Sequence, residues 1–318
     1  MKWRKLGRIF SPEDHKLSNG YSLFAKSPQA LVFNDFVRIY FCAQKKTANG
    51  KYVSCPHFVD FDKNLNKIIR ISSQPAIKLG SLGQFDEHGI FPMNVLRHQD
   101  RVLAYTTGWS RKVSVSIDME IGFAESFDSG ETFLKPGLGG PVMSPNINEA
   151  CMVGDGFVRH YGGKFHMWYI FGDKWESLVE GEEPDRNYRI AYAHSKDGLV
   201  WERDGRYIIE AKTETECQAL PTVFTIGNKY HMYFCYRDAF DFRSNRDKSY
   251  RLGYAYSLDG IKWIRKDDDS GIDVTPGNWD SDMMCYPNVF ECDGKFYLLY
   301  NGNEFGKYGF GVAILIDS

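Results

Sequence analysis

Three stretches decide the fold: Lys164-Phe-His-Met-Trp-Tyr169, Lys229-Tyr-His-Met-Tyr-Phe234 and Lys295-Phe-Tyr-Leu-Leu-Tyr300. Each is rich in aromatic residues, which favour strands. Each follows a turn containing Gly or Asn: Gly162-Gly163, Gly227-Asn228 and Asp293-Gly294. Each turn in turn follows an apolar stretch: Gly156-Phe-Val, Thr222-Val-Phe and Asn288-Val-Phe. Strand, tight turn, strand is the signature of a β-hairpin. Two weaker copies lie upstream, from Ala30-Leu-Val-Phe33 to Ile39-Tyr-Phe41 and from Met93-Asn-Val-Leu96 to Val102-Leu-Ala-Tyr105.

Downstream of the hairpins a second pattern recurs. Tyr188-Arg-Ile-Ala-Tyr-Ala-His-Ser-Lys-Asp-Gly-Leu-Val-Trp201 is echoed from Tyr250 to Trp263, and again from Ile121 to Phe133. Alternating small and aromatic residues lead into Ser-x-Asp, a Gly and then an aromatic that packs back on the sheet. Asp128, Asp197 and Asp259 are therefore read as turn-formers. Four strands repeated five times predict an all-β, five-bladed β-propeller with four-stranded antiparallel blades, whose radial repetition leaves only short sheet edges. The blades are expected at about 20–75, 86–135, 150–205, 216–266 and 282–318, and Trp3 to Phe10 is expected to close the last one. No Pro/Gly/Ser-rich linker interrupts the chain, so residues 1–318 are read as one domain.

Composition narrows the function. Lys and Arg number 39 against 41 Asp and Glu, so no basic field attracts nucleic acid or an anionic membrane. The basic N-terminus lacks the apolar run of a secretory signal, and no segment is long and apolar enough to span a bilayer. The seven cysteines are scattered with no C-x-x-C pair, which fits a reduced cytoplasm better than a disulfide framework. No metal-ligand spacing and no nucleotide-binding glycine motif appears, so neither metal nor cofactor is expected. The sequence carries no sign of an oligomeric state.

In a propeller the innermost strand of every blade lines the axis, so five loops converge on one small volume. Pro92, Pro221 and Pro287 mark the start of that strand in three blades, and Gly154 marks it in a fourth. Five residues before each mark stands an acid: Glu87, Glu149, Glu216 and Asp282, spaced by 62, 67 and 66 residues (87 to 149, 149 to 216, 216 to 282). The first blade breaks the pattern, with Leu23 five residues before Pro28. Carboxylates gathered round an axis repel, which raises some pKa values and leaves others low, as acid/base chemistry requires. These four are the candidate catalytic residues. His88 beside Glu87, the backup acids Asp86 and Asp280, and Arg237 as a holder of an anionic group are secondary candidates for substrate binding.

The blade pattern, and the Tyr-Arg-Ile-Ala-Tyr-Ala-x-Ser-Lys-Asp-Gly-x-x-Trp phrase in particular, resembles the five-bladed propeller glycosidases: the arabinanase and xylosidase type of glycoside hydrolase family 43, the invertase type and the mannoside phosphorylase type. The resemblance spans nearly the whole chain at the level of the blade. It implies catalytic Asp residues before the first and third inner strands and a Glu acid before the fourth. Here the first position reads Ser27-Pro28, the third reads Gly154-Asp155, so that Asp155 serves if the register shifts, and the fourth is nearest to Glu216-Cys217. The chain is also similar to propellers at the N-terminus of plant glucosamine inositolphosphorylceramide transferases and to cytoplasmic propellers linked to bacterial surface-polysaccharide synthesis. These likenesses imply an enzyme that cleaves or transfers a glycosyl unit on a small intracellular sugar. Glu216 would act as acid, Glu149 or Glu87 as base or nucleophile and Asp282 as their modulator, with Trp109, Trp175 and Trp279 stacking on the sugar. The rival expectation is a sugar-binding propeller without catalysis, or a transfer protein of surface-polysaccharide synthesis.

Overall fold

The computed structural model describes residues 1–15, 17, 20–177, 181 and 183–317. The described residues form strands joined by turns and a few 3-10 turns, with no α-helix among them. The first strand, β1 (Lys2–Phe10), stands apart from its neighbours in sequence. Next come β2 (Leu23–Val32), β3 (Phe36–Lys46), β4 (Tyr52–Asp62) and β5 (Ile68–Ile71). A second group holds β6 (Gly89–His98), β7 (Arg101–Arg111) and β8 (Ile117–Ser126). A third holds β9 (Met152–Tyr161), β10 (Lys164–Glu176), β11 (Asp185–Ser195) and β12 (Glu202–Tyr207). The fourth is β13 (Glu216–Ile226), β14 (Lys229–Asp238), β15 (Arg251–Ser257) and β16 (Ile264–Arg265). The last is β17 (Cys285–Cys292), β18 (Lys295–Asn301) and β19 (Phe310–Asp317).

Within each group, neighbours in sequence pair antiparallel. β1 completes the last group by pairing with β19, as the sequence led us to expect, so that sheet runs β1-β19-β18-β17. Trp3 fastens this strand to the fourth group, its indole Nε1–H donating to the Tyr233 hydroxyl at 2.7 Å. The first two groups are joined into one seven-stranded sheet by a single parallel bridge, Ser54 to Gly89. The second group lacks a full fourth strand. Its outer edge is two isolated bridges, Glu125 to Leu134 and Ile121 to Met143, and Pro136, which has no N–H to offer a ladder, stands between them in sequence.

The Ser-x-Asp-Gly segments turn as their chemistry dictates. Ser126, Ser195 and Ser257 donate their hydroxyls to Asp128, Asp197 and Asp259 at 2.6, 2.9 and 3.0 Å. Those carboxylates in turn accept backbone N–H groups of the next residues along the turn. The glycine carbonyl left at each turn accepts from the preceding group: Tyr40 donates to Gly130 at 2.6 Å, Tyr105 to Gly198 at 3.0 Å and Trp168 to Gly260 at 3.0 Å. One motif thus forms a turn in its own sheet and an acceptor for the neighbouring one.

The first strand of every group carries a bulge in which two residues face one of the second strand. The pairs are Ser27–Pro28, Phe91–Pro92, Asp155–Gly156, Leu220–Pro221 and Tyr286–Pro287. Ser27, Asp155, Leu220 and Tyr286 adopt left-handed backbone angles, φ between 48° and 58°, and Phe91–Pro92 is a cis peptide. Side chains then stitch each first strand to the next. Thr107, on β7, accepts from Asp155 N at 2.6 Å, and Asn94 accepts from Val158 N at 2.9 Å. Asp155 accepts from Leu220 N at 3.1 Å, Thr222 from Val289 N at 3.0 Å and Asn288 from Ala30 N at 2.9 Å. Gln29 Oε1 closes the ring by accepting from both Asn94 (3.3 Å) and Asn288 (3.1 Å). All three of these amides are buried.

Candidate axial site

The bulges change the register of the acids. The third-group counterpart of Pro92, Pro221 and Pro287 is Gly156, two residues beyond Gly154. Glu149 therefore lies seven residues before its mark, while Glu87, Glu216 and Asp282 lie five before theirs. A different set shares one environment: Asp86, Glu149, Glu216 and Asp280. Each is almost fully buried, and each is paired with a base near the outer edge of its own sheet. Asp86 pairs with Lys135, Glu149 with Arg203, Glu216 with Arg265 at 2.6 Å and Asp280 with Lys5 at 2.5 Å. Further donors saturate three of them: Tyr169 to Glu149 at 2.6 Å, Gln218 to Glu216 at 2.8 Å and Tyr300 to Asp280 at 3.2 Å.

The remaining expected acids sit elsewhere. Glu87 accepts from Gly83 N at 2.8 Å and stands 3.3 Å from His88. His88 Nδ1 accepts from Arg111 N at 3.3 Å, and burial together with the Arg111 charge lowers its pKa, which keeps the ring neutral. Asp282 is part-exposed and pairs with Arg246 at 3.0 Å. Trp279, expected at a sugar-stacking rim, instead stacks on Tyr300 at 5.3 Å and fills the space over Gly302 and Gly311, whose lack of a side chain admits it. The expectation was that Glu87, Glu149, Glu216 and Asp282 face one cavity. None of them lines the cavity at the end of the axis: Glu149 and Glu216 are held by bases toward the outside of their sheets, Glu87 is tied to its own loop and Asp282 to Arg246.

A cavity of about 300 Å³ lies at the end of the axis where the inner strands begin. Its walls include Lys26, Phe91, Trp109, Arg186, Arg237, Arg243, Tyr250 and Tyr286, drawn from every group. Phe91 and Tyr286 reach it from their bulges; Asp155 holds the matching bulge position on β9 and is not itself part of the wall. Asp155 is the one carboxylate in the ring of bulges, 6% exposed. Burial pushes its carboxyl up to about 7, against the opposing pull of the Leu220 N–H and the Arg186 charge. Arg237, at the end of β14, is 2% exposed, stacked 3.7 Å over Phe242 and hydrogen-bonded to the Tyr188 hydroxyl at 3.1 Å. Asp155, Arg237 and Trp109 were each named from the sequence. Lys26, Arg186 and Arg243 were not; they lie at strand ends and in a loop, where no repeat marks them. Tyr250 opens one of the sequence repeats but was read there only as part of the blade pattern.

All seven cysteines are free thiols, and no group of three or more His, Cys, Asp or Glu among the described residues is arranged to hold a metal. No helix of the described residues is long and apolar enough to cross a membrane.

The fold is that of the glycoside hydrolase and glycoside phosphorylase propellers. A solved glycoside hydrolase superposes with a TM-score of 0.75 at 16% identity, over 99% of this chain and 92% of its own. The β-1,2-mannobiose phosphorylase of Listeria innocua, in complex with β-1,2-mannobiose, superposes with a TM-score of 0.69 at 12% identity, over 99% and 96%. In sequence, a segment of 115 residues is 30% identical to the β-1,2-mannobiose phosphorylase of Thermoanaerobacter sp. (strain X514), covering 32% of this chain and 38% of that protein. No family model matches the chain. The chain belongs to the family of the uncharacterized protein Rv1502 of Mycobacterium tuberculosis, with which it is 34% identical over 325 residues, 99% of each.

Proposed function

We propose that the protein is a carbohydrate-active enzyme that cleaves or transfers a glycosyl unit on a small sugar, with Asp155 as the proton donor at the axis of a five-bladed propeller spanning residues 1–318. The observation that carries this reading is the position of Asp155: it is the one carboxylate in the ring of bulges, and its counterparts in that ring, Phe91 and Tyr286, wall the cavity. A carboxyl titrating near neutrality is half protonated at pH 7, which suits it to protonate a leaving glycosidic oxygen. Trp109, Phe91 and Tyr286 offer ring faces and edges to a pyranose. Glu149 and Glu216 act in this reading as struts, each holding its sheet's inner strand to its outer one.

Hydrolysis by the usual route takes two carboxylates, one to donate a proton and one to activate water or to attack. The lining of this cavity supplies no carboxylate of its own, and the ring of bulges supplies Asp155 alone. That favours a second reading within the same class, transfer to an acceptor that brings its own nucleophile, as inorganic phosphate does for a phosphorylase. The deciding experiment incubates the protein with small glycosides, with and without phosphate, and tracks products by mass spectrometry. Products from wild type and none from Asp155→Asn support the proton-donor role. Equal turnover by the two overturns it, and absence of products from both leaves a sugar-binding propeller.

A further inference from the structure

The axial cavity is lined by four cationic side chains, Lys26, Arg186, Arg237 and Arg243, and by no carboxylate. The chain as a whole carries a net charge of −2, so this is a local concentration and not general basicity. Among the described residues none of the four forms an ion pair with a carboxylate. Arg237 is the most informative. Its Nη1 donates to the carbonyls of Asp238 (2.7 Å) and Ala239 (3.1 Å), its Nε to the Tyr250 hydroxyl (3.3 Å) and its Nη2 to the Tyr188 hydroxyl (3.1 Å). Every acceptor is neutral, so the guanidinium is fixed in place while its charge goes unanswered. A buried charge without a counter-charge is costly, and a rigid, weakly hydrated guanidinium is well suited to meet a carboxylate or phosphate. Arg186 adds a buried Nε with no hydrogen-bond partner. Lys26 holds its ammonium 4.3 Å over the Phe24 ring, with burial drawing its pKa down to about 8.

Resting on the reading of this cavity as the sugar site, we infer that the sugar it takes carries an anionic group, a phosphate monoester or a carboxylate, which the cations Arg186, Arg237, Arg243 and Lys26 bind. The cations come from β2, β11, β14 and the loop after β14, that is from the first, third and fourth groups. At about 300 Å³ the cavity is at the lower limit for ligand pockets and has room for one small molecule. A single molecule that carries both the ring to be stacked and the charge to be met fills it, in place of the separate sugar and phosphate that a phosphorylase takes.

Calorimetry tests this on the intact protein with four probes: glucose, glucose 6-phosphate, glucuronate and inorganic phosphate. The expected result is that glucose 6-phosphate or glucuronate binds roughly tenfold or more tightly than glucose and than inorganic phosphate, the worth of one charge-assisted hydrogen bond. Arg243→Gln, at an exposed side chain, and Lys26→Met are each expected to remove most of that preference without lowering the thermal unfolding temperature, which Lys26→Met should raise by removing a charge that burial disfavours. Equal affinity for glucose and its anionic relatives overturns the inference. So does inorganic phosphate binding as tightly as the sugar anions, which would make the anion a separate co-substrate. Failure here is separable from failure of the enzymatic reading: Asp155-dependent turnover of neutral glycosides without anion preference sinks this inference alone, while tight anionic binding without turnover sinks only the catalytic role.

Discussion

The carboxylate of Asp155 reaches from one sheet to the next and accepts the backbone N–H of Leu220 at 3.1 Å. Both residues sit in the bulge of their inner strand with left-handed backbone angles, φ 54° and 48°. The same side chain therefore fastens two groups together and is the carboxyl proposed as proton donor.

These two roles come apart in Asp155→Asn. The amide oxygen still accepts the Leu220 N–H, so the fold is expected to persist, while turnover is expected to drop by about 10²–10⁴, the range for losing a positioned proton donor. Circular dichroism and product analysis on the same preparation check both halves.

The raised carboxyl also fixes a direction for pH. Folded Asp155 holds its proton up to about pH 7, whereas the unfolded residue loses it near its ordinary value of 3.8. The stabilisation this gives is complete below about pH 4 and is lost as pH rises through 7. Ionising the buried group above that costs on the order of 4 kcal/mol for a shift of about three units. The melting temperature of wild type should fall from pH 5 to pH 8.5, and that of Asp155→Asn should fall less over the same range. Turnover limited by the protonated form should decline above about pH 7.

Glu216→Gln is expected to act on stability. It leaves Arg265, whose side chain is 8% exposed, without its carboxylate partner at 2.6 Å, and breaking a buried pair from one side costs about 3–5 kcal/mol. Asp267, 2.9 Å from the same guanidinium, should recover part of this. Urea unfolding measures the loss, and replacing both partners with Leu and Met should return much of it. Turnover per folded molecule should stay near wild type; a stable but inactive Glu216→Gln protein would restore Glu216 as the acid.

The junction between the second and third groups gives a graded pair of variants. Tyr105→Phe removes one buried hydrogen bond to Gly198 O, worth about 1 kcal/mol. Gly198→Ala should cost more, because its φ is +78° and the new methyl would lie 2.5 Å from the Tyr105 hydroxyl. Thermal melts should rank them in that order.

The hairpins, the Ser-x-Asp-Gly turns and the closing strand near Trp3 were all legible in the sequence, because each depends on local chemistry: strand aromatics, left-handed glycines and short side-chain-to-backbone bonds. The register of the inner strands was harder. A mark placed at Gly154 looks as good in sequence as one at Gly156; only pairing with β10 shows that Asp155–Gly156 matches Leu220–Pro221 and Tyr286–Pro287. Once that register is known, the alignment Ser27-Pro, Phe91-Pro, Asp155-Gly, Leu220-Pro, Tyr286-Pro singles out Asp155 without further help. The cations of the cavity had no comparable signal. Arg186 and Arg243 meet only because strands distant in sequence end at one face, and their charges are unremarkable among 39 of the same sign.

The bonded trio of Gln29, Asn94 and Asn288 lies just past the bulges, two or three residues along the inner strands from Ser27, Phe91 and Tyr286. None of the three lines the cavity. Each amide instead ties its own inner strand to that of a neighbouring group, Asn94 also accepting from Val158 N and Asn288 from Ala30 N, so three side chains remote from any ligand set the spacing at which Phe91, Asp155 and Tyr286 stand.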